Sequence, residues 1–230
     1  MCAPGLDVSQ LKQISIHAGV DLWYARMDEY SPASFLSFLS EDEKERALKI
    51  RDSVISGYAV ISRGVLRVLL GRYLEKSPAS VVIKDLSNGK PILASGAYDQ
   101  LSFNVSHSRE VLSIAVSPGN PVGLDIEKVD PRTNPGQAAS IAFSAEEKSF
   151  LENSENLSRD FYKIWTAKEA ILKATGDGFA YPSRNFSVIS SNNSSILRCI
   201  SGAVTSNRRC EIHPFSIFED FIGSLAVMYP

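Results

Sequence analysis

Asp125 and Glu127 in Val122-Gly-Leu-Asp-Ile-Glu-Lys-Val-Asp130, and Glu169 with Lys173 in Phe161-Tyr-Lys-Ile-Trp-Thr-Ala-Lys-Glu-Ala-Ile-Leu-Lys173, are the residues with the types and spacing for chemistry. The first stretch reads as a strand. Its side chains alternate, so Asp125 and Glu127 share one face while Leu124 and Ile126 share the other. Two acids on one face repel unless a positive group stands between them. The second stretch reads as a helix: good formers fill its middle, no proline interrupts it, and Gly176 is placed to be its C-cap. Phe161, Trp165 and Leu172 form an apolar stripe, with Glu169 and Lys173 four apart on its margin. Alone, that pair would be a surface ion pair, and Asp125 and Glu127 would be solvated acids on an edge strand. Three carboxylates together are instead the oxygen donors a hard divalent cation takes, magnesium first and manganese as a substitute.

Other stretches offer less specific chemistry. Phe103-Asn-Val-Ser-His-Ser108 starts as a strand and ends in hydroxyl and imidazole groups suited to gripping phosphate. Ser106 and His107 do not form a nucleophile–base pair, because neighbours on a strand point to opposite faces. Asn88-Gly-Lys-Pro91 is a turn with a lysine at its tip, which by itself is an ordinary hairpin. Ser40 with Glu43, and Ser144 with Glu147, each fit a capping box that opens a helix. Glu147 also has the chemistry of a catalytic acid, and both readings stay open.

These groups sit in a repeating chain. Val20-Asp-Leu-Trp-Tyr-Ala-Arg-Met-Asp28 has the shape of Val122 to Asp130, and Leu39-Ser-Glu-Asp-Glu-Lys44 returns as Phe143-Ser-Ala-Glu-Glu-Lys148. Arg63 to Leu74 is answered by Trp165 to Gly176, Ser77 to Ile83 by Tyr181 to Ile189, and Ser113 to Pro118 by Ser224 to Pro230. The order predicts an α+β protein of two similar halves, residues 1–117 and 118–230, joined through the turn-rich Ser117-Pro-Gly-Asn-Pro121. Each half is expected to be a small antiparallel sheet with packed helices, the halves related by a pseudo-twofold axis. On this alignment Trp23, Ala25 and Arg67 stand where the second half has Asp125, Glu127 and Glu169, so the acids belong to the second half alone.

Composition narrows the function classes. The chain has 230 residues, 44% of them apolar, enough for one large or two small cores. A net charge of -2 without a basic block argues against nucleic acid as the main partner. The N-terminus lacks a signal-peptide pattern, and no apolar run reads as long enough to span a membrane. Three cysteines without ligand-like spacing argue against a disulfide framework and against zinc. These features lead to the expectation of a soluble cytoplasmic protein.

Taken together, Gly89-Lys-Pro91, Phe103-Asn-Val-Ser-His-Ser108, Gly123-Leu-Asp-Ile-Glu-Lys128, Phe143-Ser-Ala-Glu-Glu147 and Trp165-Thr-Ala-Lys-Glu-Ala-Ile-Leu-Lys173 resemble the 4'-phosphopantetheinyl transferases of the surfactin-synthetase-activating (Sfp-like) type. The resemblance runs from about residue 36 to the C-terminus. It implies the two-half α+β fold and transfer of phosphopantetheine from coenzyme A to a serine of an apo acyl, polyketide or peptidyl carrier protein. It also implies Asp125, Glu127 and Glu169 as magnesium ligands. Gly89, Lys90, Pro91, Ser106, His107, Lys168 and Lys173 would bind coenzyme A. Glu169, Glu147 or a metal-bound water would take the serine proton. The family is usually monomeric.

One departure stands out. Where family members commonly carry an arginine for the 3'-phosphate, this chain reads Ser56-Gly57-Tyr58, and Arg46, with Lys44, Lys49 and Arg51, is placed to compensate. Two rival classes are a non-catalytic module that binds coenzyme A or a carrier protein, and a metal-dependent phosphohydrolase with water as nucleophile.

Overall fold

The computed structural model describes residues 10–94, 101–176, 181–189, 199–200 and 203–230. Strands β1 (Lys12–His17) and β2 (Val20–Arg26) lead through short 3-10 turns into helices α1 (Glu41–Leu48) and α2 (Ser53–Leu74). A small hairpin, β3 (Ile83–Asp85) and β4 (Pro91–Leu93), precedes β5 (Leu101–Ser108) and β6 (Val111–Pro118). The chain continues with β7 (Val122–Lys128), α3 (Gly136–Ala142), α4 (Ala145–Glu152), α5 (Leu157–Thr175), β8 (Cys199–Ile200), β9 (Cys210–Ile217) and β10 (Phe221–Met228).

The class is α+β, and the strand orders show the repeat. One sheet runs β1-β2-β6-β5 and the other β7-β10-β9-β8, so β2-β6-β5 has the same order as β7-β10-β9. β10 pairs antiparallel with both β7 and β9. The helices start alike. Ser40 and Glu43 close a complete capping box on α1, as Ser144 and Glu147 do on α4, each satisfying otherwise orphaned backbone donors. The helix that carries Glu169 begins four residues before Phe161, at Leu157, where the side chain of Asn156 caps it. It ends at Gly176 with φ of 83°, a left-handed conformation that costs glycine little. β1 and α3 are additions that the repeat did not predict.

By compactness the chain divides into two units. One contains Trp23–Asp99 with Met1–Gln13 and Glu110–Leu112. The other contains Ser113–Pro230 with Ile14–Leu22 and Gln100–Arg109. Ser117-Pro-Gly-Asn-Pro121 links β6 to β7, with Gly119 at φ of 102°.

Against the expectation from sequence, one apolar run does reach membrane-spanning length. Helix α2 is, by length and composition, apolar enough to cross a membrane. More than half of its apolar window is buried inside the protein, and its Arg63 and Arg67 pair with acids, so it packs as a core helix. In the second unit the core gathers on α5, where the Phe161 ring stacks between Phe143 and Trp165 at centroid distances of 5.3 and 5.8 Å.

Candidate active site

Strand β7 carries two of the three acids, and Gly123 brings α5 down on it. A Cβ at Gly123 would lie 2.0 Å from the Ala170 carbonyl oxygen and 2.3 Å from the Ala174 nitrogen. Only glycine permits that approach. Asp125 and Glu127 follow at alternate positions and leave the same face as Gly123, toward the helix that carries Glu169 and Lys173. Lys173 Nζ accordingly reaches Asp125 Oδ1 at 2.7 Å and the Leu124 carbonyl at 3.1 Å.

The free edge of β7 is finished in an unusual way. Its backbone N–H groups at Val122, Leu124, Ile126 and Lys128 donate to the side chains of Ser102, Asn104, Ser106 and Ser108 on β5, at 3.2, 2.9, 3.3 and 3.1 Å. Every second residue of β5 thus supplies an oxygen where a neighbouring strand would supply a carbonyl. Two of these hydroxyls also donate onward, Ser106 to Asp125 Oδ1 at 3.0 Å and Ser108 to Glu127 Oε2 at 2.7 Å. The ladder therefore fixes the strand and aims its carboxylates at once.

The acids share one electrostatic field. Burial raises the Asp125 pKa, opposed by the Lys173 ammonium and the Ser106 hydroxyl. Glu127 is raised by burial and by the Asp125 charge, with Ser108, Lys173 and Arg109 working the other way. Burial and the charges of Asp125 and Glu127 raise Glu169 too, and Lys173 again opposes. Asp125 Oδ2 is buried and has no hydrogen-bond partner among the described residues. An orphaned carboxylate oxygen beside two further acids fits a hard divalent cation, which takes carboxylate oxygens. Among the described residues the three acids do not close to ligand spacing around one point; Lys173 stands against Asp125.

The other expected residues fall in three places. His107 follows Ser106 but is exposed on β5, and its pKa is lowered by the chain crowded around the ring and then by Lys173. Ser106 is buried and engaged by Asp125, Ile126 and Lys173. Glu147 and Lys168 meet each other: Lys168 Nζ lies 2.8 and 2.6 Å from the two carboxylate oxygens, and both residues are fully enclosed. The Ser144 and Val188 N–H groups donate to the same carboxylate, and Lys168 also donates to the Phe186 carbonyl. Gly89, Lys90 and Pro91 lie at the β3–β4 hairpin, with Gly89 at φ of 81°. Arg46 is exposed and pairs with Asp85, which Arg63 also holds at 2.9 Å.

The buried pair corrects the alignment of the helices. Arg67 on α2 donates to Glu43 at 2.8 Å and to the Pro78 and Val81 carbonyls, as Lys168 does to Glu147 and Phe186. Arg67 therefore plays the part of Lys168, one position from the Glu169 that the repeat had matched to it. The sequence reading took Ser108 as a hydroxyl for phosphate, whereas it donates to Glu127, and it gave no role to Asn104 or Arg109. Asn104 was visible as a polar residue alternating with the serines of β5; Arg109 carried no signal.

Comparison with known proteins agrees with this geometry. The family model described as the 4'-phosphopantetheinyl transferase superfamily matches residues 121–221, and that of the 4'-phosphopantetheinyl transferase N-terminal region matches residues 21–119. The 4'-phosphopantetheinyl transferase HetI of Nostoc sp. is 36% identical over 168 residues, 70% of each chain. The 4'-phosphopantetheinyl transferase Sfp of Bacillus subtilis is 26% identical over 156 residues, 67% of each chain. AcpT of Salmonella typhimurium, also a 4'-phosphopantetheinyl transferase, is 39% identical over 112 residues, which are 48% of this chain and 56% of AcpT. The chain belongs to the 4'-phosphopantetheinyl transferase family.

Proposed function

We propose that this protein transfers 4'-phosphopantetheine from coenzyme A to a serine of an apo acyl, polyketide or peptidyl carrier protein, releasing adenosine 3',5'-bisphosphate. The observation that carries the reading is the acid face of β7 and α5, with the orphaned Asp125 Oδ2 and Lys173 beside it. Asp125, Glu127 and Glu169 would hold magnesium, or manganese in its place. When bound, the ion would offset charge on the pyrophosphate and the departing nucleotide.

The chain's own groups do the rest. Lys173 and His107 are assigned to the phosphates of coenzyme A, the lysine as a point charge and the neutral imidazole as a hydrogen-bond donor. Gly89, Lys90, Pro91 and Arg46 are assigned to the remainder of that ligand. The carrier serine oxygen forms a bond to the phosphorus that bears pantetheine, and the bridging oxygen leaves with the nucleotide. Glu169 is assigned the serine proton: it is the acid that α5 carries to the acid face, and its carboxylate has a second oxygen for that proton when the first is on the ion. Glu147 and Lys168 are assigned to bracing α4 against α5, since their hydrogen bonds are made within the core. Ser106 is assigned to positioning Asp125. We place the protein in the cytoplasm as a soluble monomer with no nucleic-acid or membrane partner, in line with its near-neutral charge.

The test is intact-protein mass of apo carrier proteins incubated with coenzyme A and magnesium, with the nucleotide product identified in parallel. Transfer adds one phosphopantetheine to the carrier. Release of free phosphopantetheine without a mass gain would indicate a hydrolase, and binding of coenzyme A with no turnover would indicate a binding module.

A further inference from the structure

A second constellation lies apart from the acid face in chemistry and composition. Glu211 and His213 are two apart on β9 and leave the same face of the strand. His17, the last residue of β1, meets them there: its Nε2 lies 3.6 Å from Glu211 Oε2, and His213 Nε2 lies 3.5 Å from the same oxygen. The imidazoles sit edge to face, with centroids 4.8 Å apart and planes at 66°. Donor atoms of all three residues lie within 4.8 Å of one another. Their side chains are largely withdrawn from solvent, at 13%, 22% and 22% exposure for His17, Glu211 and His213. Tyr229 Oη donates to Glu211 Oε2 at 3.2 Å and lies 2.7 Å from His17 Nε2, while Arg209 pairs with the other oxygen of Glu211.

We propose that His17, Glu211 and His213 form a binding site for a divalent transition metal, zinc first. Two imidazoles and one carboxylate are a donor set that zinc accepts. Ligands held tetrahedrally at zinc's usual distances of about 2.0–2.2 Å stand about 3.4 Å apart, close to the two spacings already present. Magnesium favours oxygen donors, so this site and the acid face select different ions. Arg209, on the other carboxylate oxygen, orients Glu211 as a group behind a metal ligand does, and a bound ion would replace the Tyr229 hydroxyl at Glu211 Oε2 and His17 Nε2. A bound ion would join β1 to β9 and act on stability rather than on transfer. The absence of ligand-like cysteine spacing did not anticipate this site, because histidines distant in sequence supply it.

The experiment uses the full chain without a histidine tag, stripped with chelator and kept in magnesium. Titration with zinc chloride by calorimetry should show one equivalent bound at micromolar affinity or tighter. His17→Gln and His213→Gln should each weaken it about 100-fold or more, whereas Asp125→Asn should leave it unchanged. Zinc should raise the Tm of the parent protein but not of the histidine variants. Cobalt substitution needs no variant: strong visible absorption of a four-coordinate site is expected. Faint six-coordinate absorption, zinc binding that survives both histidine substitutions, or binding no tighter than millimolar would overturn the proposal.

Discussion

Strands β2 and β7 occupy matching places in two sheets of matching order, yet their outer edges are finished differently. β2 is flanked by β1 as well as β6, and closes its edge with another strand. β7 pairs with β10 on one side and receives four side chains from β5 on the other. Trp23 and Ala25 of β2 are apolar or nearly so; Ala25 is buried and the Trp23 indole donates to Tyr73 Oη at 3.0 Å. Their counterparts Asp125 and Glu127 lie where Ser106 and Ser108 can hydrogen-bond them. A backbone-paired edge satisfies only itself. A side-chain ladder satisfies the strand and has hydroxyl protons left for carboxylates. The brace behind each strand did not diverge in the same way: Glu43–Arg67 and Glu147–Lys168 are both enclosed ion pairs anchored on a capping box.

This comparison can be broken at several depths. The largest loss is expected from Gly123→Ala, whose Cβ would press on two backbone atoms of α5. Overpacking typically costs about 1–3 kcal/mol, and a Cβ 2.0 Å from backbone that cannot yield should exceed both that and the roughly 3–5 kcal/mol of a broken buried ion pair. Urea unfolding should show that loss, and Gly89→Ala, with nothing within 4 Å of its added Cβ, should show the smaller strain of its positive φ. Next come the braces. Lys168→Met leaves Glu147 buried without its cation, and Arg67→Met does the same to Glu43. Each should cost about 3–5 kcal/mol by denaturant titration. Pairing Lys168→Met with Glu147→Gln, which removes the stranded charge but keeps an acceptor for the Ser144 or Val188 N–H, should recover part of that loss.

Smaller effects come from the ladder and the acids. Asn104→Ala removes the acceptor of the Leu124 N–H and should cost about 1–3 kcal/mol, with hydrogen exchange at Leu124 accelerated. Glu169→Gln should have the smallest effect on stability, and of opposite sign. The folded state raises the pKa of Glu169, so it binds that proton more tightly than the unfolded chain. The associated penalty is absent below the unfolded glutamate pKa of about 4.3 and develops as pH rises through the folded value. Glu169→Gln should therefore melt higher than the parent at pH 7, and the gain should vanish near pH 4. No gain at neutral pH would contradict the shared acid field.

Much of this arrangement was legible before the structure. The Gly-Leu-Asp-Ile-Glu strand, the Trp165–Lys173 helix and the capping boxes rest on local periodicity and short-range hydrogen bonds, which sequence records directly. The fate of Lys168 does not. It neighbours Glu169 in sequence but turns toward Glu147 because α4 docks on that side of α5, and docking is tertiary. Ser106 and Ser108 of β5 read as a grip for phosphate, and their part as partners of β7 appears only when that strand lies beside them. His17 and His213 are uninformative singly, since β1 and β9 bring them together only in the fold. The one-residue slip between Arg67 and Lys168 arose because the helices align by apolar pattern, whereas the ion pairs reveal which positions face the capping boxes.

The central claim is that the acid face performs the transfer while the neighbouring enclosed acid only braces it. It is tested most directly by comparing Glu169→Gln with Glu147→Gln in one assay, the rate of phosphopantetheine gain on an apo carrier protein per folded molecule. The account predicts that Glu169→Gln folds at least as stably as the parent and loses transfer by about 100-fold or more. Glu147→Gln should lose stability but keep a rate within several-fold of the parent once the folded fraction is counted. The reverse pattern, with Glu169→Gln active and folded Glu147→Gln inert, would contradict it.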